Sequence, residues 1–216
     1  TIVGPEAPLA LGIVDIFEKN DLKIVGPCKE AAQLESSKSW AKKLMFKYNI
    51  PTAGYEHFKS YNTAISYIQD KNTYPIVIKA DGLAAGKGVT VCSNFAMADA
   101  ALKDCFLEGV FDDAGREVII EDFLIGEEAS ILAFTDGHVI IPMDSAQDHK
   151  PVFDGDKGPN TGGMGAYCPT LLCDKPLLDK FNEMSDIYNN FSKKNFIQVP
   201  CCSYISCYNY FNFLVY

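Results

Sequence analysis

The apolar residues near the start of the chain recur at helical spacing. A helix predicted over residues 9–20 carries Leu11, Val14 and Phe17 on one face. It lies between an apolar strand end at residues 2–3 and a short apolar strand at residues 22–25. A strand–helix–strand unit of this kind belongs in a parallel α/β sheet. We therefore interpret residues 1–35 as the remnant of an N-terminal α/β domain whose first strand is incomplete.

After residue 35 the pattern changes to helices followed by antiparallel strands. Ser36 or Ser37 can cap a helix with one apolar face, made of Trp40, Ala41, Leu44, Met45 and Tyr48. Two further helices are predicted through residues 64–69 and 98–106. Strands are predicted at residues 76–79, 89–92, 118–121, 129–134 and 139–143, the last two joined by the hairpin pair Asp136-Gly137. This order favours an α+β fold over a doubly wound sheet.

Composition narrows the class of protein. The 216 residues, 48% of them hydrophobic, suffice for one domain or two small ones. The net charge of −9 is spread along the chain without a basic stripe, so nucleic acid is not expected as a partner. No apolar run reaches the ~18 residues of a membrane span. The eight cysteines include no C-x-x-C pair, which favours reduced thiols in a cytoplasmic protein.

The last segment of the chain differs in character from the rest. Residues 189–216 contain several tyrosines, phenylalanines and cysteines but no glycine, and they show neither a helical nor a strand period. We interpret them as a divergent tail after a main domain at residues 36–188.

A glycine-bearing turn between two strands is the first chemical signal. Residues 79–89 read KADGLAAGKGV, with Lys79 at the end of the first strand. Tight glycine turns expose backbone N–H groups that can hold phosphate oxygens. A P-loop is not expected, because three residues rather than four separate Gly82 from Gly86 and a strand-forming run follows. A mobile lid fits better, although a plain flexible hairpin with solvated lysines remains an alternative.

Two later segments could complete a site. The strand ending at Glu121 offers its backbone to a purine edge, with Phe123 and Leu124 as an apolar wall and Glu127 or Glu128 for ribose hydroxyls. Surface acids at a strand end are the alternative interpretation. Residues 147–150 (QDHK) precede residues 158–167 (GPNTGGMGAY), whose glycines predict a loop closing on a phosphate or sugar. The three histidines of the chain are far apart, so no zinc site is expected.

These motifs, in this order, resemble those of the phosphoribosylamine–glycine ligases, also called glycinamide ribonucleotide synthetases. The resemblance runs from residue 1 to about residue 178 and rests on residues 2–9, 32–38, 79–89, 126–128, 147–150 and 158–167. It implies an ATP-grasp core of two α+β subdomains, preceded by a Rossmann-like remnant. It also implies an enzyme of purine biosynthesis that joins glycine to 5-phosphoribosylamine with ATP, by way of glycyl phosphate. The parent protein is expected either to carry this activity alone or to be part of a longer multifunctional polypeptide.

The resemblance also implies roles for individual residues. ATP is expected to contact Lys38, Lys79, Gly82, Gly86, Lys87, Gly88, Glu121, Phe123, Leu124 and Glu128. Catalytic roles fall to Lys79, Asp148, His149 and Lys150. The substrates are expected to contact Pro5, Glu6, Asn160, Thr161, Gly162, Gly163, Met164 and Gly165. Phosphoryl transfer to a carboxylate brings two anions together, so cations and N–H donors must offset their repulsion.

The chain also departs from the family pattern. The family's N-terminal phosphate loop and its Mg²⁺-ligating strand are expected to lie outside residues 1–216, so no metal ligand is assigned, although the family implies Mg²⁺ or Mn²⁺. We accordingly expect negligible turnover from this chain alone. The alternatives are a non-catalytic form that retains part of the nucleotide-binding fold, or another ATP-grasp enzyme such as a biotin-dependent carboxylase. Residues 147–150 and 158–167 argue against the latter.

Overall fold

The computed structural model describes most of the chain as two compact units. The described residues are 1–84, 87–135, 140–155, 157–173, 175–176, 178–179, 203–205 and 213–215. The first unit comprises Thr1–Ser36, Gly126–His149 and Gly163–Tyr216, and the second comprises Ser37–Ile125 and Lys150–Gly162. No helix within the described ranges is long and apolar enough to cross a membrane.

Helices and strands alternate irregularly along the chain. The helices are α1 (Glu6–Ala10), α2 (Ile13–Lys19), α3 (Gln33–Ser36), α4 (Lys38–Lys47), α5 (Tyr61–Lys71) and α6 (Phe95–Phe106), with a 3₁₀ turn at Asp112–Arg116. The strands are β1 (Tyr55–Phe58), β2 (Ile76–Ala80), β3 (Val89–Cys92), β4 (Val118–Asp122), β5 (Glu127–Ala129), β6 (Ala133–Thr135), β7 (Ile140–Pro142), β8 (Gln147–Phe153), β9 (Lys157–Tyr167), β10 (Ser203–Ile205) and β11 (Phe213–Val215). The predicted α+β class is confirmed.

The second unit is built on a four-stranded antiparallel sheet. Its strand order is β1-β4-β2-β3, and α5 and α6 pack on one face. The alternating side chains of β2 and β4 send Ile76, Ile78, Val118 and Ile120 into this helix-covered core. Burial of such apolar surface is the main stabilising contribution to a domain of this size.

The same alternation places two charged residues on the other face of this sheet. In the register of β2 with β4, Lys79 lies opposite Ile119 and Val77 lies opposite Glu121. Lys79 and Glu121 are therefore diagonal neighbours on one face, close enough for long side chains to meet. The fold thus brings together residues that are 42 positions apart in the sequence.

The helix caps of the second unit follow the sequence closely. The side chain of Ser37 accepts a hydrogen bond from Trp40 N at the start of α4, which confirms one of the two predicted caps. Ser60 and Asn94 cap α5 and α6 in the same way. The prediction missed β1, because its four residues, YEHF, are too few and too polar to show a period.

The N-terminal segment of the first unit differs from its prediction. The single helix expected over residues 9–20 is wrong: α1 and α2 are separate helices that meet at Gly12, whose φ is +89°. Glycine adopts this left-handed conformation without strain, so it interrupts the helical pattern. The strand expected at residues 22–25 is reduced to one parallel bridge between Ile2 and Val25. The bridge is parallel, as predicted for the strand–helix–strand unit at the start of the chain.

The strands of the first unit also depart from the prediction. Strands β6 and β7 pair antiparallel as expected, and the predicted turn at Asp136-Gly137 lies outside the described residues. The continuous strand expected over residues 129–134 is wrong, because β5 and β6 belong to different sheets. Between them, Ser130 forms a bridge with Ala146.

Two segments predicted without strands contain them. Residues 158–167, predicted as a loop, lie within β9, which pairs with β8. The tail contributes β10, which pairs with β6, and β11, which pairs with β5. Their sequences, SYI and FLV, are rich in residues that favour strands, but three residues are too few to show a period.

Candidate active site

The predicted site residues are divided between the two units. The second unit contains Lys38, Lys79, Gly82, Lys87, Gly88, Glu121, Phe123, Leu124, Lys150, Asn160, Thr161 and Gly162. The first unit contains Pro5, Glu6, Glu128, Asp148, His149, Gly163, Met164 and Gly165. Gly86 and the side chain of Asn160 lie outside the described residues.

Lys42, Lys79 and Glu121 form a lysine–glutamate cluster in the second unit. Nζ of Lys79 lies 2.9 Å from Oε2 of Glu121, and Nζ of Lys42 lies 3.4 Å from the same oxygen. The side chains of Lys42 and Glu121 are each 6% exposed, whereas that of Lys79 is 25% exposed. Lys79 is thus the member of the cluster that can reach a ligand.

Lys42 is a site residue that the sequence analysis missed. Its ammonium also donates to Thr52 Oγ1 at 2.6 Å and to the carbonyl oxygen of Ala53 at 3.3 Å. Burial lowers the pKa of Lys42, and the carboxylate of Glu121 opposes that shift. The available signal was the position of a lysine beside Ala41 in the apolar stripe of α4, where a charge needs a partner.

Asp81 anchors the base of the lid to the start of α4. Its carboxylate accepts hydrogen bonds from the backbone N–H of Ser39 and from the hydroxyls of Ser37 and Ser39. A carboxylate at a helix N-terminus satisfies N–H groups that lack intrahelical partners and interacts favourably with the helix dipole. Lys38 Nζ donates in turn to the carbonyl oxygen of Gly82 at 3.0 Å. The lid therefore begins from a fixed base.

Beyond this base, the described residues of the predicted lid, 80–84 and 87–88, leave little room for side chains at two glycines. The N–H of Ala80 donates to the carbonyl oxygen of Gly88 at 2.8 Å. A Cβ atom at Gly82 would lie 2.9 Å from the Cα of Ala114, and one at Gly88 would lie 2.8 Å from the Cβ of Ala84. Close packing therefore requires glycine at both positions, apart from the conformational freedom that glycine provides.

The end of β4 presents an apolar surface. Phe123 and Leu124 are 39% and 43% exposed, as an apolar wall requires. Asp122 lies between Glu121 and Phe123 in the sequence. Its carboxylate pairs with Lys71 at 2.6 Å, and its backbone N–H donates to the carbonyl oxygen of Gly54. The carboxylate of Glu121 points to the two lysines, so a purine at this strand end would meet backbone atoms and the apolar side chains.

In the first unit, β8 and β9 hold the second group of polar residues. The rings of His149 and Tyr167 stack with their centroids 6.2 Å apart. The Tyr167 hydroxyl donates to Gln147 Oε1. Met164 is 59% exposed, and a Cβ atom at Gly163 or Gly165 would meet nothing within 4 Å. This part of β9 therefore presents open backbone.

The remaining predicted residues lie at element starts or in strands. Pro5 precedes α1 and Glu6 begins it, and both are exposed. Glu128 lies in β5, where it is opposite Leu214 of β11. In the second unit, the hydroxyl of Thr161 donates to the carbonyl oxygen of Lys150 at 2.9 Å, and a Cβ atom at Gly162 meets nothing within 4 Å.

One cluster among the described residues has the donor set of a metal site. His57, Asp81 and Glu117 place one ligand atom each within 4.8 Å of one another. Asp81 is already engaged by Ser37 and Ser39, and Glu117 pairs with Lys59 at 2.7 Å. Mg²⁺ prefers six oxygen ligands. An imidazole nitrogen beside two carboxylates that already have partners is therefore a poor match for it. The cluster does not fit the Mg²⁺ that the family implies.

Two family profiles match adjoining parts of the chain. The profile described as "Phosphoribosylglycinamide synthetase, N domain" matches residues 1–35. The profile described as "Phosphoribosylglycinamide synthetase, ATP-grasp (A) domain" matches residues 36–198, and so continues beyond Leu178, where the recognised motifs end. Together the two matches include every predicted site residue.

Individual relatives carry the name of one enzyme. The phosphoribosylamine–glycine ligase of Clostridium acetobutylicum is 53% identical over 183 residues, which are 85% of this chain and 44% of that protein. That of Neisseria meningitidis serogroup B is 58% identical over 169 residues, 78% of this chain and 40% of that protein. The crystal structure of the Thermotoga maritima phosphoribosylamine–glycine ligase is similar with a TM-score of 0.72 and 33% identity, covering 84% of this chain and 44% of that one. The chain spans less than half the length of these relatives.

Proposed function

The chain belongs to the phosphoribosylglycinamide synthetase family, and on that basis we propose that it carries the nucleotide-binding part of a phosphoribosylamine–glycine ligase. The reaction joins the glycine carboxyl carbon to the amine of 5-phosphoribosylamine. ATP transfers its γ-phosphoryl group to the glycine carboxylate and leaves as ADP. The amine then attacks the carbonyl carbon of glycyl phosphate, and phosphate leaves as glycinamide ribonucleotide forms. The buried residues Cys92 and Cys105 form no disulfide, which suits a cytoplasmic enzyme of purine biosynthesis.

The lysine–glutamate cluster is the observation that carries this proposal. Lys79 presents an ammonium group that is fixed by Glu121 and partly exposed. A positive charge held in place stabilises polyphosphate without a reorganisation cost at the moment of reaction. The adjacent strand end offers Phe123 and Leu124 as an apolar wall for a purine. A cation beside an exposed apolar surface has the features that a nucleoside triphosphate requires.

The other residues take roles that suit their positions. Lys87 and the backbone N–H group of Gly88 would close over phosphates from the lid, whereas the N–H of Gly82 donates to the carbonyl oxygen of Ala114 at 3.4 Å and Lys38 holds the lid base. Glu128 would accept from the ribose hydroxyls. Asp148, His149 and Lys150 would surround the reacting carboxyl group, and the substrates would contact the open backbone of β9 together with Pro5 and Glu6. A divalent ion, when bound, would add to the neutralisation of the phosphate charge.

Equilibrium titration tests this assignment. We expect Lys79→Ala to weaken ATP binding by about 1.5–3 kcal/mol, the value of a lost charge-assisted contact. Lys87→Ala should cost less, because the lid tip must first be ordered. The wild-type chain should also bind the product glycinamide ribonucleotide, and Lys79→Ala should leave that binding intact. A chain that binds ATP but not glycinamide ribonucleotide would contradict the assigned reaction, and a larger effect at Lys87 would contradict the role of Lys79.

A further inference from the structure

Both lysines of the lysine–glutamate cluster approach a single carboxylate oxygen. Lys79 Nζ and Lys42 Nζ lie 2.9 Å and 3.4 Å from Oε2 of Glu121. Two ammonium groups against one carboxylate leave one positive charge in excess. In a partly buried site this excess acts at a lower dielectric than in water, so its effect on a nearby anion is correspondingly larger.

We propose that Lys42 is a positioning residue that sets the charge Lys79 presents to the triphosphate. It does so by sharing the carboxylate of Glu121, so that Glu121 orients Lys79 without neutralising it. This inference rests on the proposed function, because it takes ATP as the ligand of Lys79.

The surroundings of Lys42 suit this role and exclude direct contact with a ligand. Its ammonium is surrounded by three oxygen atoms, those of Thr52, Ala53 and Glu121. These match the three N–H donors of a lysine, so none remains for a phosphate. Its Nζ also lies 5.6 Å from the centroid of the Tyr55 ring, a favourable distance for a cation. Lys42 thus acts through Glu121.

Lys79 has the complementary environment. Its side chain is 25% exposed, and among the described residues Glu121 is its ionic partner. At least one of its N–H donors can therefore turn to a ligand. If Lys42 lost its charge, Glu121 would pair with Lys79 alone, and the cluster would become neutral. A neutral pair attracts a polyphosphate far less than a cluster with one excess positive charge.

Binding measurements on charge-changing variants test the proposal. Lys42→Met should weaken ATP binding by about tenfold or more, because Glu121 then neutralises Lys79 and the charge-assisted contact of Lys79 with the phosphates is weakened, and it should leave adenosine binding within about twofold. Lys42→Gln removes the charge but keeps two N–H donors for Thr52 and Ala53, so it tests the same point if the methionine variant does not fold. Each affinity is measured by calorimetric titration of the full chain.

A second substitution should restore what the first removes. In the double variant with Lys42→Gln and Glu121→Gln, Lys79 again carries an excess positive charge, so ATP affinity should return to within about threefold of wild type. Lys103→Met is the matched control, because Lys103 also pairs with an aspartate, Asp99, on the helix-covered side of the sheet. It removes an equal charge outside the cluster and should change ATP affinity by less than about twofold.

The outcomes separate charge from packing. An equal loss of ATP and adenosine affinity in the Lys42 variants would overturn the proposal, since it would indicate a packing role. Failure of the double variant to recover, or an equal loss in Lys103→Met, would overturn it too. A wild-type chain that binds ATP but not glycinamide ribonucleotide would instead contradict the proposed function and leave the Lys42 comparison valid. A wild-type chain that binds no ATP would overturn both.

Discussion

A methyl group added to Gly82 in the lid would lie 2.9 Å from Ala114, whereas one added to Gly165 in β9 would meet nothing within 4 Å. The first contact is shorter than any that carbon atoms normally make, and it involves backbone that cannot move aside easily. The second position is open. Two segments that share a glycine-rich composition therefore contain glycine for different physical reasons.

The lid and β9 should therefore respond differently when their glycines are replaced. In the lid, glycine allows two stretches of backbone to approach, and Asp81 fixes the base through the start of α4. In β9, Gly162 and Gly165 leave the backbone accessible, which suits a surface that a substrate approaches. The lid glycines should therefore affect stability, and the β9 glycines should affect binding.

The largest effect is expected at the anchor of the lid. Asp81→Ala removes the acceptor of three hydrogen bonds and leaves Ser39 N–H without its partner at the α4 N-terminus. Loss of such a cap together with a charge-assisted contact should lower the free energy of unfolding by about 2–4 kcal/mol. Urea unfolding gives this value directly.

An exposed aspartate provides the control for Asp81. The side chain of Asp113 is 87% exposed and pairs only with the exposed Arg116 in the described structure. Exposed pairs of this kind contribute little, so Asp113→Ala should leave the urea midpoint unchanged. Equal effects at the two positions would show that the lid base is not anchored by Asp81.

The intermediate effect distinguishes the two glycine-rich segments. Gly82→Ala should destabilise the chain by about 1–3 kcal/mol, because the new methyl group overlaps Ala114. Gly165→Ala should change the free energy of unfolding by less than about 0.5 kcal/mol, yet weaken the binding of glycinamide ribonucleotide. Thermal unfolding and titration of both variants measure the two quantities. If Gly165→Ala destabilised as much as Gly82→Ala, the comparison between the segments would fail.

The sequence predicted the two strands that flank the lid well because their signals are local. The residues of β2 alternate in burial, the caps of α4 to α6 are serine or asparagine, and the predicted bounds of β2, β3 and β4 differ by at most one residue from those observed. Local propensity and hydrophobic period are enough for such elements. The break at Gly12 had a local signal too, since a glycine lies inside the helical pattern.

The lysine–glutamate cluster could not be predicted in the same way. Glu121 meets Lys79 because of the register of β4 against β2, and register depends on contacts across the whole sheet. Lys42 joins them from α4, an element whose position over the sheet is a tertiary property. In β9, the glycines predicted a loop, but pairing with β8 outweighs their weak strand propensity.

The smallest effect concerns Glu117, whose carbonyl oxygen accepts the N–H of Asp81 at 2.9 Å while its carboxylate pairs with Lys59 at 2.7 Å. The hydrogen bond from Lys59 is the main cause that lowers the pKa of Glu117 from its ordinary value of 4.5, with His57 contributing. A carboxyl group whose pKa is lowered in the folded state stabilises the fold at pH values above its ordinary pKa. That contribution is lost as the pH falls through the lowered pKa.

Lys59→Met tests whether this side-chain charge extends the anchoring of the lid base. The side chain of Lys59 is 71% exposed, so solvent screens the pair and the loss at about pH 7 should be only about 0.2–1 kcal/mol. The difference from wild type should shrink as the pH falls well below 4.5, because protonated Glu117 no longer interacts with the lysine. Urea unfolding across this range measures it, and Glu117→Gln should remove the dependence on Lys59. A difference that stays constant with pH would mean that Lys59 contributes by packing its methylene groups, and the anchoring of the lid base would then rest on Asp81 and the backbone of Glu117 alone.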